Sequence, residues 1–151
     1  MIRTEKRIRL CAVLLVLVLA FIWGNSLLPR EASQAFSDGF RELLLRFLPH
    51  GGTHAGQGSG QLRKIAHFAE FALLGLLLRW LLGMLKKRIY LPILLGVAAA
   101  CVDETIQIFV PGRGPGIRDV WIDSCGVLTG VILLTLGHTI MKIIHGFFGG
   151  K

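Results

Sequence analysis

The stretch "RKIAHFAEF" (residues 63–71) places Arg63, His67 and Glu70 at i, i+4 and i+7, on one face of a helix. An imidazole beside a carboxylate can act as a base with its orienting group. Two further stretches carry chemistry of the same kind. "DETIQIFVPGR" supplies Asp103, Glu104 and Gln107, with Asp103 or Glu104 available as a general acid. "DVWIDSCG" supplies Asp119 and Asp123, continued on the same helical stripe by Gly126 and Gly130. The candidate catalytic residues are therefore His67, Glu70, Asp103 and Glu104. The candidate ligand-binding residues are Asn25, Ser26, Arg63, Lys64, Gln107, Arg113, Asp119 and Asp123. Arg63, Lys64 and Arg113 have the charge to hold an anionic group.

The sequence carries no GxSxG, HExxH or P-loop, so no nucleophile or nucleotide site is indicated. His67, Glu70, Asp103, Glu104 and Asp119 are metal ligands by type, but their local spacing is not diagnostic and the neighbouring Arg and Lys oppose a cation. Neither a metal nor a cofactor is expected on these grounds.

The elements that carry these residues are hydrophobic. The 151-residue chain is 53% hydrophobic and 17% charged, with a mean hydropathy of +0.64. A soluble domain of this size needs more polar surface, so the lipid bilayer is the expected surroundings. The net charge of +8 does not point to nucleic acid, because the basic residues flank apolar runs, where they meet lipid head groups. Four runs of spanning length occur, at about 8–28, 64–82, 89–109 and 119–141. The first follows Arg3, Lys6, Arg7 and Arg9 like a signal peptide, but Pro29, Arg30 and Glu31 follow it in place of a cleavage site, so an uncleaved span is expected. The fold expected is all-α: one integral membrane bundle of four transmembrane helices occupying residues 1–151.

The basic N-terminal tail, "KKR" at 86–88 and Lys142 with Lys151 fall on one side of such a bundle. The positive-inside rule puts that side, and both termini, in the cytoplasm. The loops at 29–63 and 110–118 then face outward. Phe36, Phe40, Leu43, Leu44 and Phe47 recur at helical spacing, which predicts an amphipathic helix over 34–48. It either lies in the outer interface or packs over the bundle mouth as a lid. "GGTHAGQGSG" (51–60) has the composition of a flexible linker, and its His54, with His50, is expected in solvent. Cys11, Cys101 and Cys125 form no CxxC and are expected as small buried hydrophobes. Arg79 is expected to snorkel toward the inner surface.

With this topology Asn25, Ser26, His67, Glu70, Asp103, Glu104, Gln107, Asp119 and Asp123 all fall in one outer layer. Five of the nine acidic residues lie there. Arg63, Lys64, Arg113, Arg118 and a protonated His67 could offset them. The loop "VPGRGPGIRD" could add backbone N–H groups for an anion or serve as a plain turn.

The chain resembles the VanZ-like family of small bacterial membrane proteins, named for a protein linked to low-level teicoplanin resistance. The residues that carry the likeness are "NSLLP" closing the first span, "RKIAHFAEF", "DETIQIFVPGR", and "DVWIDSCG" with Gly130. Phe71 stands where the family often has Tyr, and Asp123 where Asn is usual. The resemblance implies a multipass protein of the bacterial cytoplasmic membrane, associated with the glycopeptide response. It implies no settled reaction.

These residues point to an outer-leaflet pocket that binds or modifies an amphiphile with an anionic head group. A phospholipid, a lipid-linked cell-wall intermediate or a lipoglycopeptide would each fit. The alternative is a salt-bridge network that only fixes helix register in an interaction protein. Ion or proton transport is a further reading, opposed by an inner half made of Leu, Ile and Val.

Overall fold

The computed structural model describes residues 2–29, 31–33, 35, 39, 59–114 and 116–148. Four long helices form among them: α1 (Ile2–Ser26), α2 (Ser59–Met84), α3 (Tyr90–Ile108) and α4 (Ile117–Phe148). Each contains a segment long and apolar enough to cross a membrane. Helices are what such sequences must form in lipid, because every backbone N–H and C=O has to be satisfied within the segment.

The helices outrun the expected spans. α1 starts near the N-terminus, α2 starts at Ser59 inside the expected linker, and α4 continues to Phe148. Hydropathy marks the part that fits the hydrocarbon. The hydrogen-bond ladder ends only where the backbone is made to turn, and polar flanks extend it into the head-group layer. Of the expected amphipathic helix at 34–48 only Ala35 and Gly39 are described, both helical. The rest of that segment, with His50 and His54, lies outside the described residues.

The connections are short where they are described. α2 ends at a turn in which the Lys87 N–H donates to the Leu82 carbonyl at 2.8 Å, with Lys86 in the left-handed region at φ 54°. α3 passes to α4 through 109–116, where Gly112 takes φ 76°, a conformation open to glycine at little cost.

The most extensive contact in the bundle joins α2 to α4, and glycines make it possible. A Cβ on Gly126 would stand 2.5 Å from the Phe68 carbonyl oxygen and 3.2 Å from the Ala72 nitrogen. One on Gly130 would collide with the Ala72 carbonyl, and one on Gly75 with the Val127 carbonyl. The two backbones therefore touch, as in other membrane helix pairs joined through small residues. Beside this seam Ile22, Phe71, Leu74, Leu78, Ala99, Ala100, Val127 and Val131 form the apolar core. Leu10, Val13, Val16, Leu17 and Phe21 of α1 stay exposed on the outside, as a lipid-facing surface requires.

Two expectations need correction. Only Cys11 is buried; Cys101 and Cys125 are exposed on the outer faces of their helices. A thiol is apolar enough to face acyl chains, so hydrophobicity did not predict burial in this solvent. Arg79 also does more than snorkel, since its Nε donates to Thr135 Oγ1 on α4 at 3.1 Å.

The glycine seam gives a direct test. Gly126→Ala and Gly130→Ala should each destabilise the detergent-purified protein by about 1–3 kcal/mol, the usual scale of overpacking. Gly24→Ala and Gly137→Ala, where nothing lies within 4 Å of the new Cβ, should be neutral or slightly stabilising. Thermal unfolding followed by circular dichroism separates the two pairs.

Candidate functional site

Polar side chains from all four helices meet at one end of the bundle. α1 contributes its last turn, α2 its first turns, α3 its last two turns and α4 its first two. Ser26, His67, Asp103, Glu104, Gln107, Arg113 and Asp123 are all buried there.

One set of these residues closes the structure. Arg113, in the α3–α4 loop, reaches across to the end of α1. Its Nε donates to the Leu28 carbonyl at 3.0 Å and one terminal nitrogen donates to the Asn25 carbonyl at 2.8 Å. A cation bonded to the final carbonyls of a helix also opposes the negative end of its dipole. Burial, with the nearby charge of Arg63, pulls the Arg113 guanidinium below its ordinary value, though a guanidinium stays charged at any pH the protein meets. Glu104 holds the other end of the same loop, with Oε1 accepting the Gly116 N–H. That contact uses one of the loop N–H groups considered above for an anion. Asn25 enters through its backbone carbonyl.

A second set lines a narrow recess. Arg63, Lys64 and His67 from α2, Gln107 from α3, and Asp119 and Asp123 from α4 surround it, with Ile122 beside them. Lys64 is exposed and Arg63 half-buried, whereas His67 and Asp123 are buried, so cations stand at the mouth and acids at the floor. The volume open to the centre of a water-sized sphere is about 10 Å³, room for about one water molecule. Ile122 was not expected here; an isolated Ile in an apolar span carries no signal of its own. Glu70, Asp103, Glu104 and Arg113 do not line the recess.

The closest gathering of chemical groups lies at the floor and just behind it. His67, Asp103 and Asp123 come from three different helices, and one ligand-type atom of each lies within 4.8 Å of the others. Gln107 orders this floor: its Nε2 donates to Asp103 Oδ2 at 2.8 Å and lies 3.4 Å from Ser26 Oγ on α1. His67 Nδ1, Asp103 Oδ1 and Asp123 Oδ1 are buried and without a hydrogen-bond partner, as are Glu70 Oε2, Glu104 Oε2 and one Arg113 terminal nitrogen. Among the described residues no Arg or Lys forms an ion pair with these carboxylates. The basic residues instead hold backbone carbonyls or stand at the mouth.

Four apolar helices with a polar end define a multipass membrane protein. The family model of VanZ/LLP1 matches residues 11–140, and the chain belongs to that family. Comparison with curated proteins and with solved structures gave no match.

The loop clamp can be tested apart from the recess. Arg113→Ala should cost about 1.5–3 kcal/mol for each charged hydrogen bond lost, read as a lower unfolding temperature in detergent. Arg113→Lys should recover only part of it, because an ammonium cannot reproduce the fork that reaches two carbonyls at once.

Proposed function

We propose that the protein binds the anionic head group of an amphiphile at the outer surface of the bacterial cytoplasmic membrane. The observation that carries this reading is the pair of cations, Arg63 and Lys64, at the mouth of a recess whose floor is acidic. Neither is taken up by an ion pair among the described residues, so both retain charge for a ligand. A recess with room for about one water does not admit a head group. The head group therefore rests at the mouth on Arg63 and Lys64, with its acyl chains along the exposed apolar faces of the helices. Asp119, also on the recess wall, would favour head groups that carry a hydroxyl or an amine beside the phosphate or carboxylate.

Binding fits the residues better than group transfer does. Glu104, a candidate acid, has one oxygen committed to the loop, and among the described residues no activated nucleophile accompanies His67. A phospholipid, a lipid-linked cell-wall intermediate and a lipoglycopeptide such as teicoplanin all present an anionic group next to an apolar chain. The family link to the glycopeptide response favours the last two. A purely structural network is less favoured, because buried carboxylate oxygens left without partners add nothing to stability.

Native mass spectrometry of the purified protein with phosphatidylglycerol and phosphatidylcholine tests the reading. The wild type should retain the anionic lipid preferentially. At about 1 kcal/mol per cation, Arg63→Ala combined with Lys64→Ala should weaken that retention by roughly 30-fold. Equal retention of both lipids, or none lost in the double variant, would remove the cations from the function. If the variant also abolishes protection of expressing cells against teicoplanin, the antibiotic link gains direct support. For orientation, alkaline phosphatase fused after Lys151 should be inactive, and inserted between 51 and 58 it should be active.

A further inference from the structure

We propose that His67, Asp103 and Asp123 form a binding site for one divalent transition-metal cation. The three residues are 8%, 0% and 2% exposed, and each has an atom that is buried and without a hydrogen-bond partner. They belong to α2, α3 and α4, so their convergence within 4.8 Å is a product of the tertiary fold. Metal–ligand bonds of about 2.0–2.2 Å set neighbouring ligand atoms of a tetrahedral site roughly 3.3–3.6 Å apart. Drawing the trio's atoms together by roughly 1 Å, a shift within reach of side-chain rotation, would therefore coordinate an ion.

The donor set also selects the kind of ion. An imidazole nitrogen with two carboxylates suits zinc, manganese or iron, whereas all-oxygen sites suit calcium or magnesium. Gln107 supplies the outer contact such sites use, holding Asp103 by Oδ2 at 2.8 Å and leaving Oδ1 for the ion. The adjoining recess, with room for about one water, offers a position for a further ligand.

The opposing charges are Arg63 and Lys64 on the recess and Arg113 in the loop. Lys64 is exposed and Arg63 half-buried, so water screens both, and Arg113 hydrogen-bonds the end of α1. Glu70, Glu104 and Asp119 bring further negative charge to the same end. With the trio's aspartates they make five carboxylates facing four cations, counting Arg118. A divalent cation reverses that small negative excess. A proton shared among the trio is the competing way to satisfy the same atoms.

The test uses the full chain in a neutral detergent, without anionic lipid and with an affinity tag free of histidine, so its outcome is independent of head-group binding. After chelator treatment, Zn2+ and Mn2+ are each titrated by calorimetry. The wild type should bind about one equivalent of at least one of them. His67→Gln and Asp123→Asn should weaken binding by at least about tenfold, while His138→Gln, at the other end of the bundle, should not. Pulsed electron paramagnetic resonance of bound Mn2+ should show nitrogen-14 coupling from a coordinated imidazole, lost in His67→Gln. This measurement on the wild type decides the matter even if a variant fails to fold. Folded wild type that binds neither ion, or binding and nitrogen coupling that persist in both variants, would overturn the proposal.

Discussion

The bundle depends on the contact of two backbones, α2 against α4. Lipid chains are as apolar as leucine, so the exclusion of water that drives soluble helices together is absent between helices in a membrane. Close packing must supply the attraction, and the glycines at 75, 126 and 130 allow it. The same contact sets the register of the two helices. Gly126 lies against Phe68, so one turn nearer the polar end Asp123 comes level with His67. A seam built for packing thus also aligns the floor of the recess.

The location of the polar groups follows from the solvent. Water is available only at the ends of a bundle in lipid, and an isolated charge at the bilayer centre costs several kcal/mol. Here His67, Asp103, Glu104, Gln107 and Asp123 are buried together at one end, and the core of Ile22, Phe71, Leu74, Leu78, Val127 and Val131 lies beneath them. Phe71 belongs to that core with no exposure at all. A hydroxyl at this position would need a partner that the surrounding alkyl groups cannot offer.

The polar end divides its work. Arg113 ties the α3–α4 loop to α1 and Glu104 ties it to α3, so the loop rests on fixed hydrogen bonds. Gln107 links α3 to Ser26 of α1. With these residues engaged in closure, Arg63, Lys64 and Asp119 on the recess, and the trio beneath, retain unused bonding capacity. The unpaired atoms at the floor are costly to maintain in a purely structural role. Their cost is understandable where something binds to them.

Much of the architecture was legible in the chain. Apolar runs of about 20 residues leave helices as the available structure in lipid, and the i, i+4, i+7 spacing of Arg63, His67 and Glu70 placed them on one face. Common depth followed from topology, since alternating helices return their polar ends to one layer. What spacing within a helix does not carry is rotation of one helix against another. Only the packed bundle, set by the glycine seam, separated His67, Asp103 and Asp123 from the equally plausible Glu70 and Glu104. It turned Arg113 toward the α1 carbonyls and left Cys101 and Cys125 outside. Local periodicity fixes which residues share a face; interhelical packing decides which faces meet, because that choice rests on steric fit between segments far apart in sequence.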